Sequence, residues 1–159
     1  MFSSVAQWES AEIFGFRSSN LRRCWVERGM DYTSDGLRVG KAKKLGRGVF
    51  ATKPFKKGEM VEHAPLLVVD DPAEALLVEQ LTVLGSYCYQ YDEGRICIAL
   101  GYASLYNHSS RPNVVYEVLN DCIEVFALRD IKVGAQIKIN YNGDPKDRTP
   151  IDWEEWERA

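Results

Sequence analysis

Histidine is scarce in this chain: His63 and His108 are the only two among 159 residues. The four cysteines, Cys24, Cys88, Cys97 and Cys122, form no Cys-x-x-Cys pair. Linear spacing therefore offers no zinc cluster, and the expectation is no metal, with reduced thiols packed as small hydrophobes. No apolar run approaches the roughly 18 residues that a membrane span needs. The opening stretch, MFSSVAQWES, lacks a basic start followed by an apolar core, so no secretory signal is expected. The protein is expected to be intracellular, cytoplasmic or nuclear, with no membrane partner. Basic residues are not in surplus either: the net charge of −3 argues against a molecule built to lie on nucleic acid.

What is present fits one globular domain, with 45% hydrophobic and 27% charged residues. Charge is unevenly spread. Between Gly36 and Gly58 stand eight Lys or Arg and no acid, whereas the last ten residues, PIDWEEWERA, hold four acids and one Arg. A basic run of this kind is ordinarily a solvated face, while an acidic tail would steer a cationic substrate.

Residues 1–33 read as an N-terminal extension of uncertain structure. From the turn Ser34-Asp35-Gly36 onward the pattern is β-like, with Glu59–Val69 forming a long strand. Asp71-Pro72-Ala73-Glu74 announces a helix with Asp as cap, Pro at the first position and Glu at the third. Leu77, Leu81 and Leu84 would be its buried stripe, and Gly85 its end. Short strands follow at 87–91 and 95–100, a hairpin turns at Asn120-Asp121, and Gln136–Tyr141 is the last strand. ATKPFKKGEMV (51–61) and ALRDIKVGAQI (127–137) share their Ala, basic, apolar, Lys, Gly and apolar positions. Either both are unrelated turn-then-strand segments, or the domain has two related halves.

Three local signals are individually weak. Gly46-Arg47-Gly48 lets a backbone approach a ligand closely, but a strand follows where a dinucleotide site needs a helix. The loop Asn107-His108-Ser109-Ser110-Arg111-Pro112-Asn113 offers directed donors and acceptors, yet is by itself an ordinary polar turn. Tyr141, closing IKINY, is by itself a core or edge aromatic.

In this order, the three together resemble the SET-domain protein lysine methyltransferases, over roughly residues 36–145. The stretch ALGYASLYNHSSRPN is similar to the compact, bacterial-like members of that family. The resemblance implies a mainly β chain with the β-clip fold: short strands, one inserted helix and a pseudoknot near the C-terminus. The SET domain would occupy 34–145, and 146–159 would be a tail, with a short helix closing the lysine channel. The implied cofactor is S-adenosyl-L-methionine, held by Gly46, Arg47, Gly48, Asn107, His108 and Tyr141. Tyr141 and Tyr116 would serve catalysis, and Tyr102, Tyr106, Tyr116 and Trp153 would line the lysine channel. The implied partner is a protein or peptide presenting a lysine; nucleic acid is not expected, and a homodimer is left open.

The sequence departs from the family pattern in several places. Ser110 replaces a Cys, Ser104-Leu105-Tyr106 stands where Arg-Phe is frequent, and Asn140 replaces an acid before the tyrosine. No Cys-rich zinc cluster follows the domain. These departures motivate a rival reading, a catalytically idle SET-like module that binds a protein or peptide.

Overall fold

The computed structural model describes residues 34–43, 45–81, 83–92 and 94–151. The N-terminal extension, the expected channel residue Trp153 and the expected tail helix around it lie outside these residues. Strands β1 (Leu37–Ala42) and β2 (Gly46–Ala51) form an antiparallel hairpin with Leu37 opposite Ala51 and Gly40 opposite Gly48. Next come β3 (Met60–Val69), helix α1 (Pro72–Leu81) and a 3-10 turn at Val83–Tyr87. β4 (Cys88–Asp92), β5 (Arg95–Ala99) and the two-residue β6 (Asn107–His108) follow. β7 (Val114–Val118), β8 (Cys122–Ala127) and β9 (Lys138–Ile139) complete the order. The main sheet runs β4-β5-β3-β8-β7 with every neighbour antiparallel. The inner face of its centre, with Ile123 and Val125, closes the apolar core together with Val49 and Ile137, all fully buried.

The helix begins as its sequence dictates. Asp71 Oδ1 accepts the N–H groups of Ala73 at 2.8 Å and Glu74 at 3.1 Å, with Pro72 at the first helical position. Its packing differs from expectation. Leu77 is 55% exposed and Leu84 48%, and Ala75 is buried. The α-helix also stops at Leu81, before Gly85, which lies inside the 3-10 turn. Gly85 sits against the helix end so closely that a Cβ there would lie 2.4 Å from the Glu79 carbonyl oxygen. The helix lies against β3 and β5 with Ala75 buried, while Leu76 and Leu77 stay exposed.

The two echoing segments meet. Phe55 N–H donates to Ile131 O at 3.0 Å and Ile131 N–H returns to Phe55 O at 2.8 Å. Around this pair the bonding repeats: Ala51 N–H to Ala135 O is matched by Ala127 N–H to Glu59 O, both 2.9 Å. Gly134 N–H to Ala51 O is likewise matched by Gly58 N–H to Ala127 O, at 2.8 and 2.7 Å. Equivalent positions thus exchange equivalent bonds about a local two-fold axis. Gly58 and Gly134 hold the same left-handed backbone, φ 79° and 81°, which explains glycine at that place in both. The symmetry holds for these two segments, each a turn followed by a strand.

Near the C-terminus the chain is clasped by the loop that precedes β7. β6 and β9 pair in parallel, Asn107 opposite Lys138 and His108 opposite Ile139. Asn113, 7% exposed, fastens the clasp. Its Nδ2 donates to Gln136 O at 2.9 Å, and its Oδ1 accepts the Lys138 N–H at 2.8 Å. Its backbone N–H and C=O reach Lys138 O and the Leu128 N–H at 3.2 and 2.9 Å. Asn113→Ala removes both side-chain bonds and strands two backbone groups. The expected loss is about 2–4 kcal/mol of unfolding free energy, read by denaturant titration; a change within about 0.5 kcal/mol would mean the clasp contributes little.

Candidate active site

The clasp gathers residues that are far apart in sequence. Asn107 Nδ2 donates to Arg47 O at 2.9 Å, tying β6 to the glycine-flanked start of β2. Here the two glycines play different parts. Gly46 has φ +69°, and a Cβ there would meet nothing within 4 Å, so the strand start is open. At Gly48 a Cβ would lie 2.4 Å from Gln136 Nε2 and 2.8 Å from Asn107 Nδ2. Gly48 is thus glycine because two side-chain amides lie over it. Gln136 Nε2 is buried without a hydrogen-bond partner among the described residues.

His108 and Tyr141 are joined across the parallel pair. The Tyr141 backbone N–H donates to His108 Nδ1 at 3.2 Å, and the rings meet edge to face at 5.3 Å. An accepting Nδ1 places the imidazole proton on Nε2. Burial and then the nearby Lys138 hold the His108 pKa below its ordinary value, favouring this neutral form. The Tyr141 hydroxyl donates to Tyr106 O at 2.9 Å. Burial raises its pKa, so the phenol keeps its proton at neutral pH.

Other tyrosines surround it. Tyr116 stacks edge to face on Tyr89 at 4.9 Å, and burial pushes its hydroxyl up to about 12. Tyr89, on β4, is close enough to feel both Tyr116 and Tyr141, and its hydroxyl donates to Ala103 O at 2.7 Å. Arg47 donates to the Tyr87 hydroxyl at 2.5 Å with its guanidinium 5.5 Å from that ring centre. Tyr106 is 2% exposed, and its hydroxyl donates to Glu62 Oε2 at 2.6 Å. Its ring therefore lies beneath the cluster, and its carbonyl is the part that meets Tyr141. Tyr102 is half-buried and gives its backbone N–H to Glu62 Oε1 at 2.5 Å.

Sequence reasoning missed Tyr87, Tyr89 and Glu62. The tyrosine-rich run Tyr87–Tyr91 was visible, but only the pairing of β4 beside β5 brings it near Tyr141. Glu62 sits in a run read as plain strand and is wholly buried, which raises its pKa despite the hydrogen bonds it accepts. Gly101 makes room for it: a Cβ there would be 2.4 Å from Glu62 Oε1. Glu62→Gln keeps the shape but removes the carboxylate charge from both bonds, and its NH2 requires the Tyr106 hydroxyl to turn and accept. The expected loss is about 1–3 kcal/mol of stability, read by chemical denaturation. Unchanged stability would mean that a protonated carboxyl already stands there.

Asn140 resolves one departure from the family pattern. It is 3% exposed, and its Nδ2 donates to Asp144 O and Asp147 O, each at 2.8 Å. A carboxylate cannot donate to two carbonyls, so this tight turn explains the amide. The replacement serves the turn after Tyr141 and leaves the phenol's own contact to Tyr106 intact. Ser110 is exposed.

A SET-domain family profile matches residues 46–142, well over half of the chain. The chain belongs to the SET-domain family. Its strand order and clasped C-terminal segment are the β-clip architecture of that family, with one inserted α-helix among the described residues. The chain is 35% identical, over 107 residues, to a Schizosaccharomyces pombe histone-lysine N-methyltransferase specific for H3 lysine 37. That match covers 66% of this chain and 72% of the relative. It is 32% identical over 137 residues to the Danio rerio N-lysine methyltransferase KMT5A-A, covering 77% of this chain and 39% of that protein. A Plasmodium falciparum protein provisionally assigned as a histone methyltransferase superposes with a TM-score of 0.55 at 28% identity. That superposition covers 70% of this chain and 97% of the other. The Chaetomium thermophilum Polycomb Repressive Complex 2 structure, at 20% identity and TM-score 0.58, shares the fold; it spans 71% of this chain and 16% of that one. The curated relatives are lysine methyltransferases, a class that uses S-adenosylmethionine.

The residues present suit such a cofactor. An open backbone at Gly46, an unpartnered buried amide at Gln136 and a neutral imidazole at His108 lie along one clasp. Among the described residues, Cys88, Cys97 and Cys122 are free thiols on β4, β5 and β8.

Proposed function

We propose that this SET domain is an S-adenosylmethionine-dependent protein-lysine N-methyltransferase. The carrying observation is Tyr141: its backbone is fixed on His108 while its protonated hydroxyl is fixed on the Tyr106 carbonyl. The unit that would act spans residues 34–145.

Bound S-adenosylmethionine would supply a methyl group on a sulfonium, an electrophile that needs no covalent activation. What the chain must supply is binding, orientation and a neutral amine. Gly46, Arg47, Asn107 and His108 would hold the cofactor, with Gly48 allowing the Asn107 amide to reach its place. A free lysine has a pKa of about 10.4 and is almost wholly protonated at pH 7. Aromatic walls from Tyr116, Tyr89 and Tyr141 disfavour the ammonium and lower that value. The Tyr141 oxygen, its O–H turned to the Tyr106 carbonyl, keeps lone pairs that can accept an amine N–H and point its nitrogen at the methyl. Fixing that approach contributes through orientation, which can be worth several powers of ten. The substrate would be a protein or peptide with an accessible lysine, met inside the cell.

The test is incubation with isotopically labelled S-adenosylmethionine, histones and a cell lysate, followed by mass spectrometry of labelled lysines. Label on lysine that is lost in Tyr141→Phe supports the reading. Calorimetric binding of S-adenosylmethionine without transfer to any lysine would favour the idle module, and no binding at all would overturn the cofactor assignment. Asn140 speaks against the idle module, because its replacement is explained by the turn it closes.

A further inference from the structure

The opposite face of the main sheet carries a cluster that the proposed methyl transfer does not use. In the β3–β8 register His63 stands opposite Glu124, and Pro65 opposite Cys122. Alternation places Cys122 and Glu124 on the same face of β8, and the cross-strand pairing adds His63 to that face. Glu62, Ile123 and Val125 point the other way, toward the tyrosines and the core. The three residues are buried, His63 at 6% exposed, Cys122 at 6% and Glu124 at 1%. Their potential ligand atoms, an imidazole nitrogen, a thiol sulfur and a carboxylate oxygen, all lie within 4.8 Å of one another. No other group of three such residues comes as close among the described residues.

Glu124 supplies the independent sign of a ligand. Its Oε1 is buried and has no hydrogen-bond partner among the described residues. A polar atom left so ordinarily costs about 1–3 kcal/mol, more if charged, and is uncommon in folded proteins. Its cross-strand partner on the other side is Glu117 of β7, a second acid rather than a neutralising group. Two acids and a histidine therefore cross three strands in one row, with a thiol beside them.

We propose that His63, Cys122 and Glu124 bind one zinc-class divalent cation, which pins β3 to β8. The ligand chemistry selects the metal. Calcium and magnesium take oxygen ligands, usually six or more, whereas imidazole, thiolate and carboxylate together suit zinc or cobalt. Tetrahedral zinc with ordinary bond lengths holds such ligand atoms about 3.3–3.6 Å apart, so side-chain rotations of an ångström or so close the site. Binding would neutralise the row and satisfy the stranded Glu124 oxygen. Three protein ligands leave a further position for water or another group. The linear sequence hid this set, since it contains no ligand pair at zinc-finger spacing and His63 joins it through strand register alone. The inference does not depend on the methyltransferase reading, because it concerns the other face of the sheet.

The test is a cobalt(II) titration of the full chain, stripped of metal and kept reduced and free of oxygen. One equivalent should bind with a near-ultraviolet thiolate-to-cobalt charge-transfer band. Added zinc should erase that band and raise the thermal midpoint of the wild-type chain. Cys122→Ser should abolish the band, and Glu124→Gln should weaken cobalt binding by about tenfold or more. Absence of a thiolate band in the wild-type chain at millimolar cobalt overturns the proposal, and so does a full band in Cys122→Ser. The wild-type titration decides the matter even where a variant fails to fold.

Discussion

Tyr141→Phe is expected to depress methyl transfer by about 10²–10³-fold, the range seen when one preorganised polar contact is removed from an active site. The substitution deletes a single oxygen, the one that donates to Tyr106 O at 2.9 Å. It leaves the backbone bond from Tyr141 to His108 in place, because that bond uses the main-chain N–H. Cofactor affinity should therefore stay within a few-fold of wild type by calorimetry while turnover collapses. Parallel loss of both would mean that the phenol belongs to the cofactor pocket, and full activity would remove it from the reaction.

Gly48→Val should produce the reverse pattern. A branched side chain at this position meets the Gln136 and Asn107 amides at 2.4 and 2.8 Å from its Cβ alone. Something must shift, and Asn107 is held to Arg47 O by its Nδ2. Overpacking of this kind costs about 1–3 kcal/mol, and if it falls on binding the dissociation constant rises by about ten- to a hundredfold. Saturating cofactor should restore most of the turnover. Gly46→Ala makes the useful contrast. Nothing obstructs its Cβ, but its left-handed φ of +69° disfavours any side chain by about 1–2 kcal/mol, so its loss should appear mainly in stability. Equal cofactor affinity in wild type and Gly48→Val would separate the Asn107 amide from the cofactor.

Much of the fold was legible because local chemistry and global structure agree. The Asp71-Pro72 cap fixed the helix start, and the turn at Asn120-Asp121 fixed the β7–β8 hairpin. The repeated Gly58 and Gly134 marked two segments that bond to each other in a symmetric pattern. The helix stripe was misread for a physical reason. Leucine spacing reports which face of a helix is apolar, whereas burial requires a partner, and α1 buries Ala75 while Leu77 stays exposed. Asn140 shows the complementary lesson: as a sequence feature it removes a charge beside the tyrosine, but its bonds show an amide required by a turn.

What the sequence determined by itself is the set of motifs and their order: the glycine-flanked arginine, the Asn-His loop with its proline, and the terminal tyrosine. These are short-range patterns, each set by turn and strand chemistry within a few residues. The tertiary structure alone decided which side chains became neighbours. Strand pairing brought Glu62 to the Tyr106 hydroxyl, set Tyr89 against Tyr116, and placed His63 opposite Glu124. Those contacts join residues tens of positions apart, and register across a sheet is a property of paired strands, so no single stretch of chain encodes it.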